Sequence, residues 1–281
     1  MSESQVTKCN SFTVAMCLYK NDNPVFFREA LKSILTQTSR PSEIVIVIDG
    51  PIPVSIEVVL AEFVAAYPDI IKLVRFEINQ GHAAARAAGL LHASNEIVAI
   101  MDSDDIAVET RFEVELKYLN SNPDVSIVGG NIAEFIDSIN NVVAYRNVPE
   151  LDADIKKYMK SRCPFNQMTV MFRKSDVIGV GGYMDWFCNE DYYLWIRMAE
   201  AKLTFHNLQD VLVYMRVGRD MYARRGGWKY FKSEAKLQQY MYNHSIISMP
   251  RYIYNVLVRL AVQVLMPNSI RALVFQKLLR K

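Results

Sequence analysis

The tetrapeptide Asp102-Ser103-Asp104-Asp105 follows directly on the apolar run IVAIM at 97–101. Three carboxylates at the end of a buried strand repel one another unless a cation sits among them. A divalent ion with oxygen ligands supplies that compensation, commonly bridging to substrate phosphates rather than filling a protein cage. The same acids also suit the N-terminus of a helix expected from 109, so the tetrapeptide alone leaves both readings open. A second acidic pair, Glu190-Asp191, opens the segment NEDYYLW. Adjacent acids in a first helical turn are stabilised by the helix dipole. A positioned carboxylate can also take the proton of an attacking hydroxyl, an effect of about 10²–10⁴-fold. Arg216, Arg219, Arg224 and Arg225 lie on a glycine-punctuated stretch, RVGRDMYARRGG. They suit a clamp on phosphate, and equally a membrane or solvent contact. The histidines at 82, 92, 206 and 244 show no ligand spacing and receive no catalytic role.

These residues need elements to hold them. Phe12–Leu18 reads as a strand, and Asn23-Pro24 opens a helix to about Gln37. The run IVIVI at 44–48 has the continuous β-branched pattern of a parallel strand buried on both faces. Helix 55–66, strand 71–76, helix 82–92 and strand 97–101 follow. This βαβαβαβ order predicts an α/β fold around a parallel sheet with right-handed crossovers. Ligands of such sheets bind beyond the carboxyl ends of the strands. Those ends carry Tyr19–Asp22, Asp49-Gly50, Asn79–Gly81 and Asp102–Asp105. The second half reads as mixed: helices at 109–120, 152–160 and 189–200, and short strands at 125–128, 142–145, 168–172 and 211–215. After Gly226-Gly227 the pattern is helical.

Of 281 residues, 51% are apolar and the formal charge is +2, which excludes wholesale disorder and argues against a nucleic-acid partner. The mean conceals an asymmetry. Residues 1–215 hold 19 basic and 28 acidic side chains, whereas residues 216–281 hold 13 and 2. Within the basic quarter, Arg251, Asn255, Arg259 and Gln263 recur every fourth residue as a narrow polar stripe on an otherwise apolar helix. Pro267 ends it, and Ser269 can cap a second helix. A wide apolar face with cations predicts an interfacial helix on anionic lipid, with packing on the body or a sister subunit as the alternative. The apolar stretch 252–266 is shorter than the roughly 20 residues needed to span a bilayer. Cysteines 9, 17, 163 and 188 form no CxxC pair, so reduced thiols are expected, and no secretory leader is recognised.

Taken in order, VAMCLYKNDNP, EIVIVIDGP, NQGHAAARAAG and IVAIMDSDD resemble the nucleotide-binding half of family-2 glycosyltransferases. The resemblance covers roughly 11–220 and implies a GT-A fold: a mixed, mostly parallel nucleotide-sugar-binding sheet, here with a helical C-terminal extension. It implies that Asp104 binds Mn²⁺ or Mg²⁺ on the donor diphosphate, with Asp102 on ribose or metal and Ser103 between them. It places Asp49 against uracil, although Ile48 stands where the family often has another acid. Tyr19 would line that pocket, and Arg86, followed by Ala87 where the family has Asn, would lie beneath the nucleotide or form a structural ion pair. The turn Gly181-Gly182-Tyr183 and Trp195, four residues after Asp191, resemble the acceptor-side motif whose Asp is the catalytic base. That assigns Asp191 as base and Glu190 as its neighbour toward the acceptor. The segment RCPFNQMTVMFR resembles the acceptor cleft, where Asn166 and Gln167 would meet sugar hydroxyls or form a buried polar turn. Relatives often place a third metal ligand, a His, near 216–227, where this chain has none.

The expected organisation is a catalytic domain at 11–230 and a basic amphipathic tail at 231–281. The expected function is inverting transfer of a hexose from a UDP-sugar to a lipid-linked saccharide, as in bacterial O-antigen or capsule synthesis. The enzyme would lie peripherally on the cytoplasmic face of the inner membrane. A sugar nucleotidyltransferase and a non-catalytic nucleotide-sugar-binding adaptor are the alternatives.

Overall fold

The computed structural model describes residues 11–218 and 226–266. Arg219, Arg224, Arg225 and the second tail helix expected from Ser269 lie outside them.

The first half follows the alternation read from the chain. Strands β1 (Phe12–Leu18), β2 (Glu43–Ile48), β3 (Ile71–Arg75) and β4 (Ile97–Met101) alternate with helices α1 (Pro24–Leu35), α2 (Val54–Ala66) and α3 (His82–His92). Asn23 caps α1 by accepting the N–H of Val25 at 2.8 Å, which leaves Pro24 where its missing N–H costs nothing. All four strands pair in parallel in the order β3-β2-β1-β4. Leu18 pairs with Ile48 and Met16 with Met101, so Tyr19, Asp49 and Asp102 leave the sheet at one edge.

The second half departs from expectation in detail. A short strand β5 (Ile106–Ala107) precedes α4 (Arg111–Ser121). β6 runs over Val125–Phe135 and β9 over Thr204–Arg216, both much longer than their apolar cores. Polar residues interrupt the apolar pattern of each, yet Ser126, Asn131, Glu134 and Asn207 are buried within them. β7 (Val142–Arg146), α5 (Asp152–Met159), β8 (Met171–Arg173) and α6 (Lys174–Gly179) lie between, and a 3₁₀ turn at Gln167–Thr169 replaces the start of the strand expected at 168. The sheet continues β4-β8-β6-β9-β5, with β7 also on β6. β8 is antiparallel to β4 and β6, while β6 and β9 run parallel in the longest ladder, so most paired residues lie in parallel ladders.

Alternating strand residues feed two cores. Ile44, Ile46 and Ile48 pack with α1, α2 and α4 on one face. On the other, Val98, Ile100 and Phe172 meet α7 (Glu190–Glu200) and α8 (Trp228–Asn243), with α3 covering Val45 and Val47. Leu237 and Met241 of α8 are fully buried in that second core. The domain boundary expected at 230 therefore falls inside a helix that belongs to the body. α9 (Met249–Leu260), continued by a π turn at Ala261–Leu265, packs on α8.

Candidate active site

The edge formed by β1, β2 and β4 gathers five carboxyl groups. Asp102 is partly exposed, Asp104 is exposed, and Ser103 and Asp105 are buried. Asp22 comes from the turn after β1, where its Oδ2 accepts the N–H of Tyr19 at 2.8 Å and its carboxylate also meets Ser103. Burial, with the charges of Asp104 and Asp102, raises Asp22 from 3.8 to about 6 against the pull of those two hydrogen bonds. Burial and the same two aspartates push Asp105 well above the ordinary carboxyl range, opposed by the Arg216 N–H that Oδ1 accepts at 2.9 Å. The edge thus carries a concentrated negative field.

That field and the oxygen donors of Asp102 and Asp104 fit a hard divalent cation. Among the described residues no group of three His, Cys, Asp or Glu side chains is arranged around one point. A two-carboxylate site completed by substrate phosphate oxygens matches that donor set. His206 lies on β9 with its ring stacked on Tyr118 at 4.1 Å.

Asp49 is buried and engaged. Its carboxylate accepts Asn79 Nδ2 at 2.9 Å, the Gln80 N–H at 2.6 Å and the Gly81 N–H at 2.9 Å. It therefore shapes the loop that opens α3, with the Tyr19 ring 6.2 Å from that of His82 beside it. Arg86, one turn into α3, donates to Glu190 Oε1 at 3.2 Å and to Asp102 Oδ1 at 3.4 Å. Burial disfavours its charge, but Asp102 and Glu190 outweigh burial and hold the guanidinium above its usual range. A single buried arginine thus ties the Asp102 cluster to the acidic pair at the start of α7.

At that start, burial raises the Glu190 carboxyl, with Arg86 opposing and Asp191 reinforcing. Asp191 is half-buried; its Oδ1 accepts the Tyr192 N–H at 2.7 Å and its Oδ2 lies 3.8 Å from Cys163 Sγ. Both acids sit in the first turn of an 11-residue helix, where the macrodipole favours negative charge. Tyr183 packs nearby, its hydroxyl accepting Gln167 Nε2 at 2.8 Å. Gly182 (φ +63°) lets the turn before it close, and its carbonyl accepts Arg197 at 2.6 Å. Asn166 is buried with Nδ2 on the Gly130 carbonyl at 2.8 Å, while Asn166 Oδ1 and Gln167 Oε1 find no partner among the described residues.

Two expectations are corrected. Trp195 is fully buried, edge-on to Phe165 at 5.4 Å, so it packs the core and reaches no acceptor. Arg216 is no mobile clamp: its guanidinium is held between Phe26 (3.9 Å) and Phe135 (4.6 Å), pairs with Glu29 and donates to the Asp104 carbonyl at 3.2 Å. Asp22 and Cys163 were not singled out from sequence. Asp22 had a signal, the polar cluster at the end of β1; Cys163 had none, because only folding carries it to Asp191.

A parallel half-sheet with paired aspartates at its carboxyl edge, facing a helix that opens on Glu-Asp, defines a GT-A glycosyltransferase. Residues 13–179 match the family described as Glycosyl transferase family 2, and the chain belongs to it. It is 42% identical over 270 residues to an uncharacterized glycosyltransferase of Haemophilus influenzae, covering 96% of this chain and 99% of that protein. It is 36% identical over 270 residues to the Escherichia coli UDP-Gal:alpha-D-GlcNAc-diphosphoundecaprenol beta-1,3-galactosyltransferase, covering 96% and 97%. In fold it is similar to the mannosyltransferase PcManGT of Pyrobaculum calidifontis, solved with GDP-Man and Mn²⁺, at a TM-score of 0.62 and 18% identity, covering 95% of this chain and 81% of that one.

Proposed function

We propose that this glycosyltransferase transfers a hexose from a UDP-sugar to a hydroxyl of a polyprenyl-diphosphate-linked saccharide, with inversion, in the assembly of a bacterial surface polysaccharide such as O-antigen or capsule. The observation that carries this reading is the Asp102–Arg86–Glu190 bridge, which brings the carboxyl edge of the sheet and the start of α7 into one site. The similarity along nearly the whole chain to an E. coli enzyme named for UDP-Gal and a diphosphoundecaprenol-linked acceptor supports the choice of substrates.

Asp102 and Asp104 would hold Mn²⁺ or Mg²⁺ beside the donor diphosphate. The ion, when bound, neutralises charge that develops on the leaving diphosphate. The loop shaped by Asp49, with Tyr19 beside it, receives the uridine. Asp191 takes the proton of the acceptor hydroxyl as its oxygen bonds to the anomeric carbon and the bond to UDP breaks. One displacement turns an α-linked donor into a β-linked product. Glu190 and Arg86 orient the floor of the site, and Tyr183 and Gln167 border it. The substrate places the enzyme at the cytoplasmic face of the inner membrane as a peripheral protein; no helix among the described residues is long and apolar enough to cross a bilayer.

The test is Asp191→Asn. Transfer to a lipid-linked acceptor, read as UDP release, falls by about 10²-fold or more while UDP-sugar affinity stays within a few-fold. Near-normal turnover in Asp191→Asn removes Asp191 as the base.

A further inference from the structure

Helix α9 is amphipathic and packs with its polar side inward. Asn255, 3% exposed, donates Nδ2 to the Lys160 carbonyl at 2.8 Å and to Gln238 Oε1 at 2.7 Å. Arg259 pairs with Glu234 and donates to the Ser161 carbonyl at 2.7 Å, and Arg251 donates to the Ser161 hydroxyl. These bonds set the rotation of the helix. Turning it over to bury its apolar side would strand Glu234, Gln238 and two backbone carbonyls, each a desolvated group without a partner. The side left facing outward is apolar: Tyr254 is 62% exposed, Leu257 58% and Leu265 72%, with Met249, Ile253 and Val258 beside them. Monomeric proteins seldom leave such a stripe without a use.

At the N-terminal end of the same helix lies a cleft of about 740 Å³ lined by Lys157, Lys160, Tyr242, Ser245, Ser248 and Arg251, with no acid among its walls. At the other end, the Gly227 N–H donates to the Gln263 carbonyl at 2.8 Å, which places the exposed Trp228 there. We infer that the outward face of α9 docks on an anionic bilayer, with headgroup phosphates received by the Lys157–Lys160–Arg251 cleft. Charge complementarity selects the bilayer over a second copy of the chain. A two-fold interface on this face would bring together two clefts that each carry Lys157, Lys160 and Arg251 with no acid in their lining. Tyr254 and Trp228 have the mixed polar and apolar character of side chains that settle at headgroup level.

Docking in this orientation bears on the active site. The turn at 160–163 is held by α9 through the Lys160 and Ser161 carbonyls, and its Cys163 touches Asp191. The base is thereby tied to the element that would rest on the lipid. The inference rests on the lipid-linked acceptor proposed above, and it fails or stands by a different readout.

The test is flotation of the full chain with vesicles of phosphatidylcholine alone or mixed with phosphatidylglycerol, in the absence of any sugar donor. The mixed vesicles are expected to carry the chain. Ile253→Ser combined with Leu257→Ser lowers the bound fraction at least about tenfold. Lys157→Gln and Lys160→Gln each lower it roughly fivefold on mixed vesicles and leave the weak binding to phosphatidylcholine unchanged. All four positions are exposed, so unfolding midpoints equal to the parent's are expected. Brominated lipid provides a readout that needs no variant: quenching of the unsubstituted chain at Trp228, Trp186 and Trp195 being buried. Equal flotation of parent and variants, or absence of quenching, overturns the inference. So does a concentration-dependent dimer that Ile253→Ser with Leu257→Ser dissolves, which would assign the face to a second copy. Flotation reports nothing about Asp191, so either result leaves the transfer reading to its own assay.

Discussion

Arg86 is the residue through which the two halves of the site are coupled, and its geometry makes it hard to replace. A planar guanidinium reaches Glu190 and Asp102 from separate nitrogens, which a lysine ammonium cannot reproduce with the same fork. Around it the carboxyl groups are ordered by environment. Asp22, raised to about 6 chiefly by burial, holds a proton in the folded state that the unfolded chain has already lost between pH 3.8 and about 6. The folded state then binds more protons, so stability falls as pH rises through that window. Asp22→Asn removes this contribution, and its curve of melting temperature against pH, measured without divalent metal, is expected to be flatter between those limits. Asp105, whose shift has the same sign, keeps part of the slope in the variant. At the same edge, Asp104→Ala is expected to lower metal-dependent transfer by about 10²-fold or more. Titration of transfer with Mn²⁺ checks it, and an unchanged metal dependence would sink the assignment of Asp104.

At the scale of elements, the site is built by strand ends and the turns that follow them. Gly50 shows how tightly this is done. Its φ is +84°, and a Cβ there would lie 2.7 Å from the Asn79 nitrogen. Asn79 and its two successors donate to Asp49, so this contact sets the loop against the strand end. Gly50→Ala is expected to cost about 2 kcal/mol, from the left-handed backbone and the backbone clash together, and to weaken UDP-sugar binding. Urea unfolding and donor titration measure the two effects. The strands themselves differ in legibility. β2 reads from its sequence because the run from Ile44 to Ile48 is apolar on both faces. β6 and β9 do not, because each buries polar residues that find partners in other elements: Asn131 donates to the Gln209 carbonyl at 2.7 Å, and Asn207 to that of Pro149 at 2.7 Å. A polar residue satisfied from a distance looks, in one dimension, like the end of a strand.

At the scale of the whole molecule, α8 and α9 belong to the body, with α8 bonded to the segment that leads into α7. Trp186 Nε1 donates to the Ser233 carbonyl at 3.2 Å, and Asn189, which precedes α7, donates to the Ser233 hydroxyl at 3.1 Å. Removing the chain from residue 241 onward would cut α8 and open the core at Met241, so substitution on α9 is the cleaner probe of its outer face. Leu237→Ala is expected to destabilise the protein by about 2–5 kcal/mol within one cooperative transition, because its side chain belongs to the same core as Val98 and Phe172. Near- and far-ultraviolet dichroism should report coincident unfolding. An early separate loss of helix would instead mark residues from 231 as an independent unit.

The chain by itself determined the parallel half-sheet, its polar edge and the acidic residues at 102–105 and 190–191. Those signals are local: periodicity, β-branched runs and charges adjacent in sequence. Periodicity also drew the polar stripe of α9, but it could not say which side faces in. Packing decided that. The stripe is buried because Glu234, Gln238 and the turn at 160–161 offer partners to Asn255 and Arg259. The same long-range term placed Arg86 between Asp102 and Glu190, brought Cys163 to Asp191, and took Trp195 and Arg216 out of the roles their positions suggested. Hydrogen bonds and ion pairs between residues tens of positions apart leave no periodic trace, so only the tertiary structure reveals them.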